Sequence, residues 1–127
     1  MSEEIVRRAV DAFMARDLDG LLAVADADIV LRSLLTEAER PVYHGHDGVR
    51  DWFDAVFGVF PDWRPQPRPA SHDQDGAVVI ALDVTATGAG SGVPIDQTYW
   101  LGARVQAAKI VFFGFFRTED DALEAVT

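Results

Sequence analysis

The sequence predicts an α+β domain in which a curled antiparallel sheet is covered on one face by helices. Three observations predict it. Apolar residues recur at helical spacing mainly in the stretch before Pro61. From Trp63 onward the chain reads as extended segments punctuated by Gly, Pro and Asp. Helices gathered at the start and strands gathered afterwards exclude alternating βαβ units. A curled sheet covered this way encloses a pocket beside its long helices.

The elements follow in order. Ser2 can cap a helix whose first turn holds Glu3 and Glu4, where carboxylates favour the helix dipole. Ile5, Val6, Ala9, Val10, Phe13 and Met14 form its buried stripe, and Arg16-Asp17 ends it. Asp17 caps a short second helix over Leu18–Ala25, which Asp26-Ala27-Asp28 breaks. Ile29–Leu35 reads as a strand by its alternation. Thr36–Val42 reads as a charged loop. A helix is expected from Asp47, with Val49, Trp52, Phe53, Val56, Phe57 and Phe60 as its apolar stripe and Pro61 as its stop.

Pro65, Pro67 and Pro69 then stand at alternate positions of an extended segment, Trp63–Ser71. Prolines at period two remove backbone donors from a single edge, as an edge strand facing solvent tolerates. Asp73–Gly76 is a turn, Ala77–Thr87 a strand, and Gly88–Gly92 a hairpin loop. Val93–Val105 and Lys109–Phe116 are the two longest strand signals, dense in β-branched and aromatic residues. Gln106-Ala107-Ala108 between them is a poor turn sequence. Thr118, with Asp121 three residues on, resembles a capping box that opens a last helix through Ala125.

Composition narrows the function. The 127 residues make one domain, 1–127, and at 49% apolar they can fill a core. A net charge of −10 repels phosphate backbones and anionic membranes, so neither a nucleic acid nor a membrane is an expected partner. The absence of cysteine removes disulfides, thiolate metal sites and a Cys nucleophile. Ser2-Glu3-Glu4 is acidic where a signal peptide is basic, and no apolar run approaches a membrane span. The expectation is a soluble protein of the cytoplasm.

The order of elements and four strings carry a resemblance. DLDGLLAVADADIVLRS, YHGHDGVRDWF, PIDQTYWL and AKIVFFGFF, ending in DALEA, resemble the SnoaL-like proteins of the nuclear transport factor 2-like superfamily, which includes ketosteroid isomerases and limonene epoxide hydrolases. The resemblance implies a cone-shaped, cystatin-like fold: a curved antiparallel sheet wrapped around the N-terminal helices. It also implies pairing of sheets as a homodimer and acid/base carboxylates working without a cofactor. Pro94-Ile95-Asp96 matches the isomerase triplet whose carboxylic acid donates a hydrogen bond to the dienolate oxygen. The isomerase base position falls on Ser33, and the oxyanion-hole tyrosine on or next to Ala9. The second hydrolase aspartate would lie among Phe112–Phe116, where there is none, and Arg117 stands where many relatives close the last strand with Asp.

Asp96 carries two readings. Strand alternation puts Asp96, Thr98, Trp100 and Arg104 on one face and the more apolar set, Ile95, Tyr99, Leu101 and Val105, on the other, which points Asp96 at solvent or a partner subunit. The resemblance instead points Asp96 into the pocket beside Thr98 and Trp100, where apolar walls would raise its pKa. His44 at the pocket mouth is a candidate acid/base because histidine is the side chain suited to proton transfer near neutral pH. With only two spaced histidines, His44 and His46, and no third ligand, no metal site is expected. Ser33, Trp52, Phe53 and Phe60 are the remaining candidate wall residues, against the plainer reading that such aromatics form a core. Arg32 reads as an ion-pair partner for an acid, and Asp83, Thr85 and Tyr99 as dimer-interface residues.

The expected function is binding of a small apolar or aromatic molecule in the cone. Any catalysis would be cofactor-free proton transfer next to a carbonyl, as in an isomerase or a polyketide-cyclase-type enzyme. The alternative is a non-catalytic ligand-binding or dimerisation module whose interior is filled by its own side chains.

Overall fold

Helix α1 (Ser2–Met14) buries the expected stripe, with Val6, Ala9, Val10 and Phe13 inside, in a computed structural model that describes residues 2–34, 40–87 and 94–127. The chain turns at Arg16, whose φ is 59°. Asp17 then caps α2 (Leu18–Val24), its side chain accepting from the Gly20 N–H at 2.9 Å. Strand β1 (Ala25–Arg32) starts four residues earlier than its alternation suggests. Asp26–Asp28 lies just past the end of α2 at Val24, as expected of a helix breaker, and forms an irregular stretch of β1, where register with the neighbouring strand shifts and the Asp26 carboxylate accepts from the Asp28 N–H. Leu35 and the loop residues 36–39 lie outside the described residues.

Strand β2 (Val42–His44) pairs antiparallel with β1 where a loop end was expected. Helix α3 (Gly45–Val59) follows at once, with Val49, Trp52 and Val56 buried and Phe60 ending it before Pro61. Strand β3 (Arg64–Pro67) lies at the sheet edge, paired antiparallel with Leu82–Thr85. The Arg68 N–H donates to Ala81 O at 2.9 Å, which puts the even-numbered backbone N–H groups on the paired side and leaves the outward backbone positions to the three prolines, which have no N–H. That edge therefore offers few donors to another strand.

Strands β4 (His72–Gln74) and β5 (Ala77–Thr87) form a hairpin through Asp75 (φ 54°) and Gly76 (φ 81°). Two successive positive φ values are the backbone of a type I′ turn, which Asp-Gly favours. A Cβ on Gly76 would meet Val105 O at 2.5 Å, so glycine is needed there for space as well. The hairpin loop expected over Gly88–Gly92 lies outside the described residues. Strand β6 (Pro94–Gln106) pairs antiparallel with β5 and with β7 (Lys109–Phe116).

The β6–β7 turn places Ala107 (φ 50°) and Ala108 (φ 62°) in the left-handed region, with no glycine to relieve it. Each such alanine costs about 1–2 kcal/mol, held in place by the long strand pairing on either side. Replacing Ala107→Asn together with Ala108→Gly is expected to raise stability by roughly 1–2 kcal/mol in urea denaturation. No gain would mean that the turn does not adopt this conformation.

The strands join in the order β2-β1-β7-β6-β5-β3, with β4 also on β5. The fold is α+β as expected, but β1 lies parallel to β7, so the sheet is mixed. Val78, Ile80, Leu82, Leu101, Ala103 and Ile110 face the helices in the main core. Helix α4 (Glu119–Val126) is capped by Thr118 Oγ1, which accepts from the Asp121 N–H at 3.1 Å. It covers the opposite face of the sheet, where Ala122 and Val126 pack on Ala77, Val79 and Phe116. Among the described residues no helix is long and apolar enough to cross a membrane.

Candidate functional site

The cone interior is built on Trp52. Helical spacing turns this residue toward the sheet, where it is 1% exposed. Its ring stacks on Phe13 of α1 at 4.8 Å and on Phe115 of β7 at 5.7 Å, and meets Phe113 edge-on at 6.3 Å. Its indole Nε1–H donates to Ser33 Oγ at 3.2 Å. Among the described residues Ser33 is the one buried polar or charged residue. The space left between Phe13, Leu21, Trp52, Trp63, Leu82 and Phe115 is about 10 Å³. That is room for a single water at most, and the lining is apolar, so the interior is filled and dry.

Three of the expected wall residues stand on the other face. Period-two alternation sends Tyr99 and Leu101 toward the helices and Asp96, Thr98 and Trp100 away from them. Asp96 is exposed, opposite Thr85 of β5. Its placement corrects the pocket reading and agrees with the alternation. Thr98 Oγ1 donates to Asp83 Oδ1 at 2.7 Å, and Trp100 packs beside the α4 cluster. Arg68 donates two bonds of 2.7 Å to Asp83, and these, with the bond from Thr98, hold the Asp83 carboxyl below its ordinary range. Tyr99, expected at an interface, is 9% exposed against Trp63, its hydroxyl donating to Gln97 Oε1 at 3.0 Å. Burial pushes its phenol up, opposed by the charge of Arg117.

His44 does not border the cavity. It is exposed at the N-cap of α3 and makes no side-chain cap bond. His46 instead bonds Ala25 O through Nε2 at 2.9 Å. Phe53 packs edge-on against Phe13 at 5.7 Å, and Phe60 lies 5.7 Å from Trp63, so both brace α3 without bordering the interior space. Among the described residues no cluster of His, Asp or Glu is placed to hold a metal ion.

A larger cavity, about 460 Å³, opens where the ends of β1 and β7 meet α4. Ser33 and Phe115 belong to its wall as well as to the interior cluster, and Leu34, Phe116 and Ala125 add apolar surface. Arg32 and Arg117 line the strand side, Asp121 and Glu124 the helix side. Arg32, expected to pair with an acid, makes no ion pair among the described residues and lies 5.7 Å from the Phe116 ring centre. The volume falls in the range of small-molecule sites, and the mixed lining suits a ligand with apolar and polar parts. Sequence reasoning missed this cleft because its residues come from three elements whose meeting is not a local property. The one signal was Arg117 at the end of the last strand.

A family model for the SnoaL-like domain matches residues 6–123. An NTF2-like protein of unknown function from Burkholderia pseudomallei superposes with a TM-score of 0.82 at 20% identity, covering 99% of this chain and 97% of its own. TerC, co-crystallised with polyporic acid, gives 0.81 at 16% identity over 98% and 96% of the two chains. A hypothetical protein with a ketosteroid isomerase-like fold from Catenulispora acidiphila, in complex with trimethylamine, gives 0.78 at 15% identity over 97% and 92%. At these identities the likeness is one of fold. No curated protein matches the sequence.

Proposed function

The chain belongs to the SnoaL-like domain family, and from that premise we propose that it is a non-catalytic binder of a small molecule, held in the cleft between the strand ends and α4. The observation that carries this reading is the contrast in volume: about 460 Å³ in the cleft against about 10 Å³ in the cone. The filled aromatic interior serves as a rigid wall, and Phe115 and Phe116 offer rings to an apolar or aromatic body. The small molecules bound by two proteins of similar fold, polyporic acid and trimethylamine, support a ligand-binding role for this architecture.

Proton transfer of the isomerase or cyclase type needs a positioned acid and base near the bound ligand. Asp96 is exposed across the sheet from Trp52, and His44 is exposed at a helix start, so neither lines the cleft. The binding reading therefore leaves both out. A homodimer through the outer sheet belongs to the same proposal, with Thr85 and Asp96 on the surface a second copy would cover.

Indole titrated into isotope-labelled protein tests the cleft. Saturable shifts are expected at the amides of Leu34, Phe116 and Ala125, with the same affinity in Asp96→Asn. Shifts centred on Val10, Phe13 and Leu21, or weaker binding by Asp96→Asn, would return the site to the cone.

A further inference from the structure

Resting on the cleft reading, we propose that the ligand is a zwitterionic α-amino acid with an apolar or aromatic side chain. The cleft is dipolar. Its sheet side carries two guanidinium groups, Arg32 at the end of β1 and Arg117 just beyond β7. Its helix side carries two carboxylates, Asp121 and Glu124, which share a helix face at i and i+3.

This arrangement discriminates among charge types. A simple carboxylate gains Arg32 and Arg117 but meets Asp121 and Glu124 in the same cleft. A simple amine meets the reverse. A molecule with both charges matches both sides, its carboxylate on the arginines and its ammonium on the acids. Arg32 is suited to the first role because it is exposed and joins no ion pair among the described residues. Its neighbour Phe116, with Phe115 and Leu34, provides the apolar surface for the side chain. Among the described residues two positive and two negative groups line the same space.

Isothermal titration at low ionic strength, where exposed charges are least screened, tests the assignment with three probes of one shape. L-Phenylalanine carries both charges, 3-phenylpropionate only the negative one, and phenethylamine only the positive one. The expected result is saturable binding of phenylalanine, with each of the other two weaker by roughly tenfold or more. Arg32→Gln should weaken phenylalanine by roughly tenfold, a larger loss than it causes for indole, which carries no carboxylate. A singly charged probe that binds as tightly as phenylalanine would overturn the zwitterion, as would equal phenylalanine binding by Arg32→Gln. If indole occupies the cleft but phenylalanine shows no advantage, only the ligand class fails. If neither occupies it, the cleft reading fails with it.

Discussion

Trp52→Ala is expected to lower the unfolding free energy by about 3–5 kcal/mol. The indole is 1% exposed and stacks between Phe13 and Phe115, so its removal leaves a cavity lined by rings from three elements. It also takes the Nε1–H from Ser33 Oγ. Trp52→Phe separates these effects: it keeps a ring in the stack and loses the donor, at an expected cost of roughly 1–3 kcal/mol. Urea denaturation of the three proteins is the measurement. A loss below about 1 kcal/mol for Trp52→Ala would mean that the cone is not packed around this residue. The new cavity should also admit benzene or a similar apolar probe that the wild type excludes, because its lining is apolar and dry.

Ser33→Asp is the second large effect, and it asks whether this cone could hold a carboxylate at the position where the resemblance to ketosteroid isomerases would put a general base. Ser33 is 1% exposed, bonded to Trp52 and beside Phe115, so an introduced carboxylate loses its hydration. Burial of that kind raises a carboxyl pKa by about 3 units, equivalent to about 4 kcal/mol at neutral pH. The direction with pH follows from proton binding. With its folded pKa above the unfolded value of about 3.9, the group binds more protons in the native state between the two values. Stability of the variant should therefore match that of the wild type best near pH 4, fall as pH rises toward about 7, and level off above that. Denaturation midpoints across this range check it. A flat difference between variant and wild type would show that the carboxylate reaches water through the adjoining cleft.

Much of the fold is legible in the chain because it rests on short-range periodicity. Val6, Ala9, Val10 and Phe13 mark one helix face, and Trp52 and Val56 mark another, whatever the strands later do. Thr118 and Asp17 cap helices with their own side chains, within three residues of the groups they satisfy. The prolines at 65, 67 and 69 announce an edge because a missing donor is a covalent fact. Plain alternation on β6 also assigned Asp96 correctly to the exposed face. The likeness of Pro94-Ile95-Asp96 to a catalytic triplet pointed the other way. A three-residue match does not fix strand register, whereas the two-residue period of the pleat does.

What escaped the sequence depends on pairing between distant segments. Asp26–Asp28 ends α2 as its local preference suggests, but that it then belongs to β1 depends on the pairing of Ala25 and Val30, on either side of it, with β7. Val42–His44 is too short to show a period and becomes a strand only because β1 lies beside it. Ala107 and Ala108 hold positive φ because two long strands impose the turn.

The sequence by itself determined an acidic α+β domain with its helices first, its aromatic residues inside and its proline edge outside, since composition, period and covalent geometry act locally. The tertiary structure alone decided that the cone is filled, that β1 runs parallel to β7, and that Arg32, Arg117, Asp121 and Glu124 share a cleft. The reason is physical: a cavity is the volume that side chains from separate elements fail to fill. That volume is set by how far apart the elements pack, which no local pattern encodes.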